Sequence, residues 1–371
     1  MDRPVGRIGT VRAKRATLKS IASDLGVTHT SVSNAYNNPA KVSAALRERI
    51  FAHARTVDYD GPHPAARSLR TGRCGAIGVV FNDSLSYAFI DPHDIAFLRG
   101  VATVCEEAGA NIVLIPLNAR DAGRIDTLTA LVDGYIFNAP YRSHPVIRKA
   151  LARGLPTVLV DFAAPEDAPG HASVLTDDRA MMRAVVAHLL ALGHVDVGIV
   201  TFPSTEGHDA ILALDAEVSA DNHVVYERIM GCRDGFDAAG IAQAGVLVCE
   251  TTNSEAGGRS AVAGLLARRP GLTALVCFSD RLARGVIAGC AARGLAVPHR
   301  MSVTGFDGIE PAGGAPGAMR LTTVRQNAFD KGRSAAECLL RAGADPRAQI
   351  RIAAEFVVGE TSAEAWALDG R

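Results

Sequence analysis

The chain has 371 residues, 48% of them apolar, with 39 basic and 39 acidic side chains. Such a length exceeds one ordinary core and implies two or three domains; no apolar run reaches the roughly 18 residues of a membrane span, and no apolar segment follows the basic N-terminus, so neither a spanning helix nor a secretory signal is expected. The zero net charge hides an asymmetry: residues 1–73 carry a net +8 and the remainder −8, which suits a polyanion partner for the head alone.

Seven scattered cysteines, an odd number with no C-x-x-C pair, fit a reduced cytoplasmic protein in which they serve as small apolar residues. Residues 1–15 read as a flexible basic tail. Residues 16–60 carry three helical patterns. Thr17 is placed to cap the first, with Leu18, Ile21, Ala22 and Leu25 on one stripe, and Gly26 ends it. Thr28 caps the second, whose apolar side is Val32, Ala35 and Tyr36 before Asn37-Asn38-Pro39 stops it. Ser43 caps the third, with Leu46, Ile50, Phe51 and Ala54 facing inward. Two short helices about a tight turn with a supporting third form the helix-turn-helix plan. The second helix begins with small polar residues, Thr28, His29, Thr30 and Ser31, where a recognition helix reaches base edges. A plain three-helix bundle or a protein-docking module fits the same pattern.

The segment "TLKSIASDLGVTHTSVSNAYNNPAKVSAALRERIFAHA" resembles the DNA-binding head of the LacI/GalR repressor family. It shares the T-L-x-x-I-A opening, the G-V-[ST] turn, the S-V-S core of the second helix and the V-S-x-x-x-R-x-R-I start of the third. The resemblance places Thr17, Thr28, His29, Thr30, Ser31, Ser33, Asn34 and Asn37 at the DNA, with His29, Thr30 and Asn34 at base-reading positions. Family members usually carry Arg where Asn34 stands; asparagine pairs bidentately with adenine but does not reach guanine as arginine does. The linker 61–74 follows. Gly61, Pro62 and Pro64 break the third helix, and "AARSLRTG" resembles the family's hinge helix. By that resemblance Ala66, Arg67, Leu69 and Arg70 contact DNA, with Leu69 as a minor-groove wedge. An extra residue between Tyr59 and this motif departs from the family.

From residue 75 to 371 the texture changes. Apolar runs read as buried parallel strands: "AIGVVF", "ANIVLIP", "VDGYIFN", "PTVLVDF", "VDVGIVT", "GVLVCE", "TALVCFS" and "MSVTGFD". Helical patterns such as "IAFLRGVATVCEEAG", "RAMMRAVVAHLLALGH" and "RSAVAGLLARRPG" separate them. This alternation predicts a doubly wound α/β architecture, and its restart near Val195 predicts two such subdomains with a cleft between them. Ligands in these folds bind beyond the carboxyl ends of strands, which singles out polar residues such as Asn138, Asp161, Ser279 and Asp307.

The motifs "LLALGH", "RIMGCRDGFDAAGI", "FSDRLARGVIAGCAARGLAVP", "SVTGFD" and "LTTVRQNAFDKG" resemble the family's effector-binding and dimerisation domain, which has the type 1 periplasmic-binding-protein fold. The resemblance implies an N-subdomain of about 75–173 and 325–354 and a C-subdomain of about 174–324 and 355–371. Asn138 and Asp161 would line the cleft from the first, and Arg228, Ser279, Asp307 and the crossover residue Gln326 would complete it. In the long first loop, "NDSLSYAFIDPHDIAFLRG", Asp83, Tyr87 and Phe89 join the expected effector site, and Asp91 and His93 help to shape it. Asp, Asn and Arg together suit a polyhydroxylated ligand, because each buried carboxylate accepts two hydroxyl protons.

The sequence holds no H-E-x-x-H, no phosphate loop in the right context and no Ser/His/Asp set, so no metal, cofactor or catalytic role is expected. The expected protein is a ligand-responsive regulator, a repressor acting as a homodimer on a pseudo-palindromic double-stranded operator, with a sugar or related metabolite as effector. The body alone would also suit a solute-binding protein for transport, or an enzyme on a borrowed fold; the basic head argues against both.

Overall fold

The computed structural model describes residues 16–61, 72–82, 84–117, 131–162, 171–207, 209–309, 319–341, 345 and 347–366. The tail 1–15, Asp83 and the hinge residues Ala66, Arg67, Leu69 and Arg70 lie outside these. The chain divides into two compact units, Met1–Cys74 and Gly75–Arg371.

In the first unit, α1 (Leu18–Leu25), α2 (His29–Asn37) and α3 (Ala44–Thr56) enclose a small core of Ile21, Ala22, Val32, Ala35, Ile50 and Ala54. Their starts are set by side-chain caps. Thr17 and Ser20 form a reciprocal capping box, while the hydroxyls of Thr28 and Ser43 accept from the Ser31 and Leu46 amides at 3.1 and 3.3 Å. Gly26, at φ 63°, makes the left-handed exit from α1. Tyr36 meets Phe51 and Tyr59 edge to face, with ring centroids 4.9 and 5.9 Å apart, and this aromatic corner ties α2 to α3 and its exit.

The second unit opens with β1 (Ala76–Phe81), α4 (Leu85–Ala88), α5 (Pro92–Ala108), β2 (Asn111–Pro116), β3 (Tyr135–Asn138), α6 (Pro145–Ala152), β4 (Thr157–Val160) and β5 (Ala172–Leu175). It continues through α7 (Asp178–Ala191), β6 (Val197–Thr201), β7 (Ala210–Ala213), α8 (His223–Ala238), β8 (Leu247–Glu250), α9 (Glu255–Arg268), β9 (Ala274–Cys277), α10 (Asp280–Ala291) and β10 (Ser302–Thr304). It closes with β11 (Thr323–Gln326), α11 (Ala328–Leu340), β12 (Gln349–Arg351) and β13 (Ala354–Val357). Two sheets result. The N-subdomain sheet has order β12-β5-β4-β3-β1-β2 and is parallel throughout; the C-subdomain sheet has order β10-β9-β6-β8-β7, with β7 alone antiparallel. β11 and β13 pair antiparallel as a separate ribbon.

All eight apolar runs became strands; those covered by helices on both faces bury every side chain and so read as unbroken apolar stretches, while the edge strand β2 is only partly buried. β1, β3, β4, β6 and β9 are buried at every position. The first sheet continues to Leu175, where β5 still pairs with β12. The chain returns between β11 and α11 and leaves again between β12 and β13. α11 therefore belongs to the N-subdomain and packs along α5. Gly100 on α5 and Gly332 on α11 make that contact close: a methyl on either would overlap the carbonyl of Phe329 or Phe97 on the facing helix. Among the described residues no helix is long and apolar enough to cross a membrane.

Candidate ligand cleft and nucleic-acid interface

In the first unit Thr28, His29 and Thr30 are exposed, and Ser31, Ser33, Asn34 and Asn37 are half-buried on the same short helix. Thr28 lies at the helix cap, and its Oγ1 is 2.9 Å from Ser31 Oγ. Asn37 Nδ2 donates to the Ser33 carbonyl at 3.0 Å, which fixes that side chain against its own helix. Thr17 is exposed and held by its capping box. The amide end of α2 and its small polar residues thus form one open face of this unit, suited to phosphate and base edges.

In the second unit a cleft of about 360 Å³ lies between the two subdomains, at the carboxyl ends of their strands. It brings together Tyr87, Asn138, Asp161, Arg228, Ser279, Asp307 and Gln326. Phe89 does not join them. It follows the single turn of α4 and is 58% exposed, while Tyr87 takes the inward place, its hydroxyl held by Asp91 and Asn253. Asp83 lies outside the described residues.

The polar side chains of the walls, set among Phe81, Phe202, Pro203 and Val224, are largely paired. Lys331 Nζ donates to both carboxylate oxygens of Asp161 at 2.7 Å and also to Gln326 Oε1, and Gln326 Nε2 donates to Asp307 Oδ1 at 2.6 Å. A continuous chain of hydrogen bonds thus joins a carboxylate of one subdomain to a carboxylate of the other. Arg228 donates to Asp178 at 2.7 Å and to the Phe278 carbonyl, with its guanidinium 3.5 Å above the Phe306 ring centroid. Asp161 and Asp307 sit in the left-handed region, at φ 49° and 121°, a strain that non-glycine residues tolerate mainly at functional sites.

Burial and neighbours set the ionisation. Burial opposes ionisation of Asp161, but the Lys331 ammonium, His93 and Arg228 hold its carboxyl below the usual range. Burial pushes Asp307 up to about 6, and Asp280 behind it, also facing Asp307, up to about 7. Asp280 Oδ1 accepts from Thr323 Oγ1 and Oδ2 from the Ile309 amide, each at 2.6 Å.

Both rims of the cleft are bridged. Asn253 Nδ2 donates to Tyr87 Oη at 2.9 Å, Tyr87 Oη donates to Asp91 at 2.6 Å, and Ser279 Oγ donates to Asn253 Oδ1 at 2.6 Å. On the other side Ser143 donates to both oxygens of Asp221 at 2.6 and 2.9 Å. The two subdomains are therefore drawn together around the cavity.

The second unit matches a periplasmic binding protein-like domain over residues 186–362. Over 335 residues the chain is 40% identical to an HTH-type transcriptional regulator of Mycobacterium tuberculosis, covering 88% of this chain and 91% of that one. A solved LacI-family transcriptional regulator from Corynebacterium glutamicum is 29% identical, covers 95% of this chain and 100% of its own, and superposes with a TM-score of 0.64. The chain belongs to the LacI family of transcriptional regulators. It is a ligand-responsive DNA-binding regulator, and its relatives are regulators rather than enzymes. The lac repressor dimer bound to operator and an anti-inducer shares the fold at 21% identity, with a TM-score of 0.73 over 94% of this chain and all of that one.

This LacI-family cleft contains residues that its motifs did not reveal. Asp94, Tyr141, Asn222 and Asn253 line it beside Asp91 and His93 of the first loop, and Lys331 stands behind Asp161. One signal for Lys331 was present. Ala328, Lys331, Gly332 and Ala335 follow the three- and four-residue spacing of a buried helix face, and a lysine on such a stripe needs a partner carboxylate.

Proposed function

We propose that two copies of the chain bind a pseudo-palindromic operator as a repressor, and that a neutral polyhydroxylated metabolite, bound between the subdomains of each copy, controls that grip. The cleft's ring of carboxylate, amide and hydroxyl groups, bridged across both rims, is the observation that supports this most. Asn138, Asp161, Arg228, Ser279, Asp307, Gln326 and Tyr87 would hold the effector. Thr28 to Asn34 would read the major groove, with Thr17 and Asn37 at phosphates and the 66–70 hinge in the minor groove. The C-subdomain would shift against the N-subdomain as the effector exchanges rim contacts for its own, altering the spacing of the two heads.

Fluorescence anisotropy with operator duplexes from the chain's own promoter region tests the reading. Binding should be sequence-selective and fall steeply as salt rises, since phosphate contacts release counterions. A panel of hexoses, pentoses, acyclic and cyclic polyols and their phosphate esters, screened by thermal shift, should yield a ligand that changes operator affinity by about 5- to 150-fold. Salt-independent, sequence-blind DNA binding, or a ligand with no effect on DNA affinity, would overturn it.

A further inference from the structure

Among the described residues the Asp307 carboxylate takes a single hydrogen bond, from Gln326 Nε2 at 2.6 Å. Its backbone is pinned to the same passage of chain: the Asp307 amide donates to the Val324 carbonyl at 2.9 Å, and the Gln326 amide to the Asp307 carbonyl at 3.3 Å. The set of that carboxylate therefore depends on which end of the Gln326 side chain faces it. The two ends of a glutamine amide are nearly equal in size, but one donates and the other accepts. Turned about, Gln326 would set an oxygen against the Asp307 carboxylate and push it away.

Lys331 decides which end it is. It is 1% exposed and stands behind Asp161, near the start of α11, while Gln326 ends β11 and lines the cleft. An ammonium has three N–H groups and no acceptor. Two of these meet the oxygens of Asp161 at 2.7 Å, and the third meets Gln326 Oε1. The glutamine carbonyl is thus held at Lys331, and its nitrogen is left for Asp307. No hydrogen of the ammonium remains for a ligand.

We infer that Lys331 is a positioning residue for effector binding: it orients Gln326, and through Gln326 the Asp307 carboxylate, without touching the effector. This rests on the proposed effector cleft and adds to it a residue from behind its wall. Lys331 belongs to the N-subdomain and Asp307 follows β10 of the C-subdomain, so a lysine of one half sets a ligand group of the other. A lysine that served only to neutralise Asp161 would have no need of a third bond to a cleft-lining amide.

The test is a double-variant cycle read by isothermal titration with the best-binding neutral sugar or polyol of the panel. It compares the full chain with Lys331→Met, Gln326→Met and the two together. Each single variant should weaken binding by about 10- to 100-fold. The losses should not multiply: the double variant should bind about tenfold or more better than their product, since Lys331 has no amide left to orient. Lys331→Gln, whose amide still donates, should regain part of the loss. Thermal melting checks that each variant is folded, and should Lys331→Met fail to fold, Lys331→Gln carries the same cycle. Losses that multiply, or Lys331 variants that bind like the unsubstituted protein, overturn the positioning role. No binding of any neutral sugar or polyol to the unsubstituted protein overturns the cleft reading as well.

Discussion

Lys331 shows how a single buried side chain can govern its surroundings. It is 1% exposed and lies 170 residues from Asp161, its main partner. A buried ion pair is not in itself strong evidence of stability, but removing one member strands the other charge. Lys331→Met should therefore lose about 3–5 kcal/mol in chemical denaturation, and the double variant with Asp161→Asn should recover much of that loss. A double variant no more stable than the single one would show that the pair is not coupled. A second residue-scale expectation concerns pH. Asp280 holds its proton in the folded state far above the unfolded value of 3.8, to about 7. Its contribution is fully present below 3.8 and lost as pH rises through about 7, so it makes stability fall across that window. Asp161 works oppositely, adding stability above the unfolded value that is lost on acidification. Asp280→Asn should flatten the decline between pH 4 and 7 in a series of thermal melts, while Asp307, raised to about 6, preserves a remnant of it.

At the scale of elements, helix ends and helix contacts obey different rules. Thr28 caps α2 through the Ser31 amide, and Thr28→Ala should cost the head about 1 kcal/mol, read as a lower first transition in calorimetry. The α5–α11 contact admits no side chain at Gly332; Gly332→Ala, although it favours helix intrinsically, should cost about 1–3 kcal/mol by forcing the pair apart, seen as a lower melting temperature of the body. A stabilised variant would mean that the helices separate without loss. The caps were legible because they depend on residues three apart. The helix contact was not, since glycine within a helical pattern has no visible partner in sequence. The short strands β5, β7, β11, β12 and β13 escaped notice for a related reason. β7, β12 and β13 are half-exposed, without the unbroken burial of the central strands, and β5 and β11 are four residues each amid polar neighbours.

The molecule as a whole turns on the two bridged rims. Asn253 bonds Tyr87 across the cleft and Ser279 beside it, on a rim where Arg281 also lies over the Tyr87 ring. Asn253→Ala should populate the open arrangement, and apparent effector affinity should fall in proportion to the lost closed fraction, by about tenfold for a tenfold smaller fraction. Small-angle scattering of the isolated body should show a larger radius of gyration; unchanged affinity and shape would mean that the rim bond does not control closure.

Sequence alone was enough for the three-helix head, the alternating α/β body, the family resemblance and the strand-end residues Asn138, Asp161, Ser279 and Asp307, because caps, periodicity and apolar runs are short-range signals carried by adjacent residues. The tertiary structure alone decided that Lys331 occupies Asp161, that Asn253 joins Tyr87 and Ser279, and that Phe89 stays out of the cleft. Those partners lie far apart in the chain, on different elements, and they meet only where three passages of the chain between the two sheets fold them against one another.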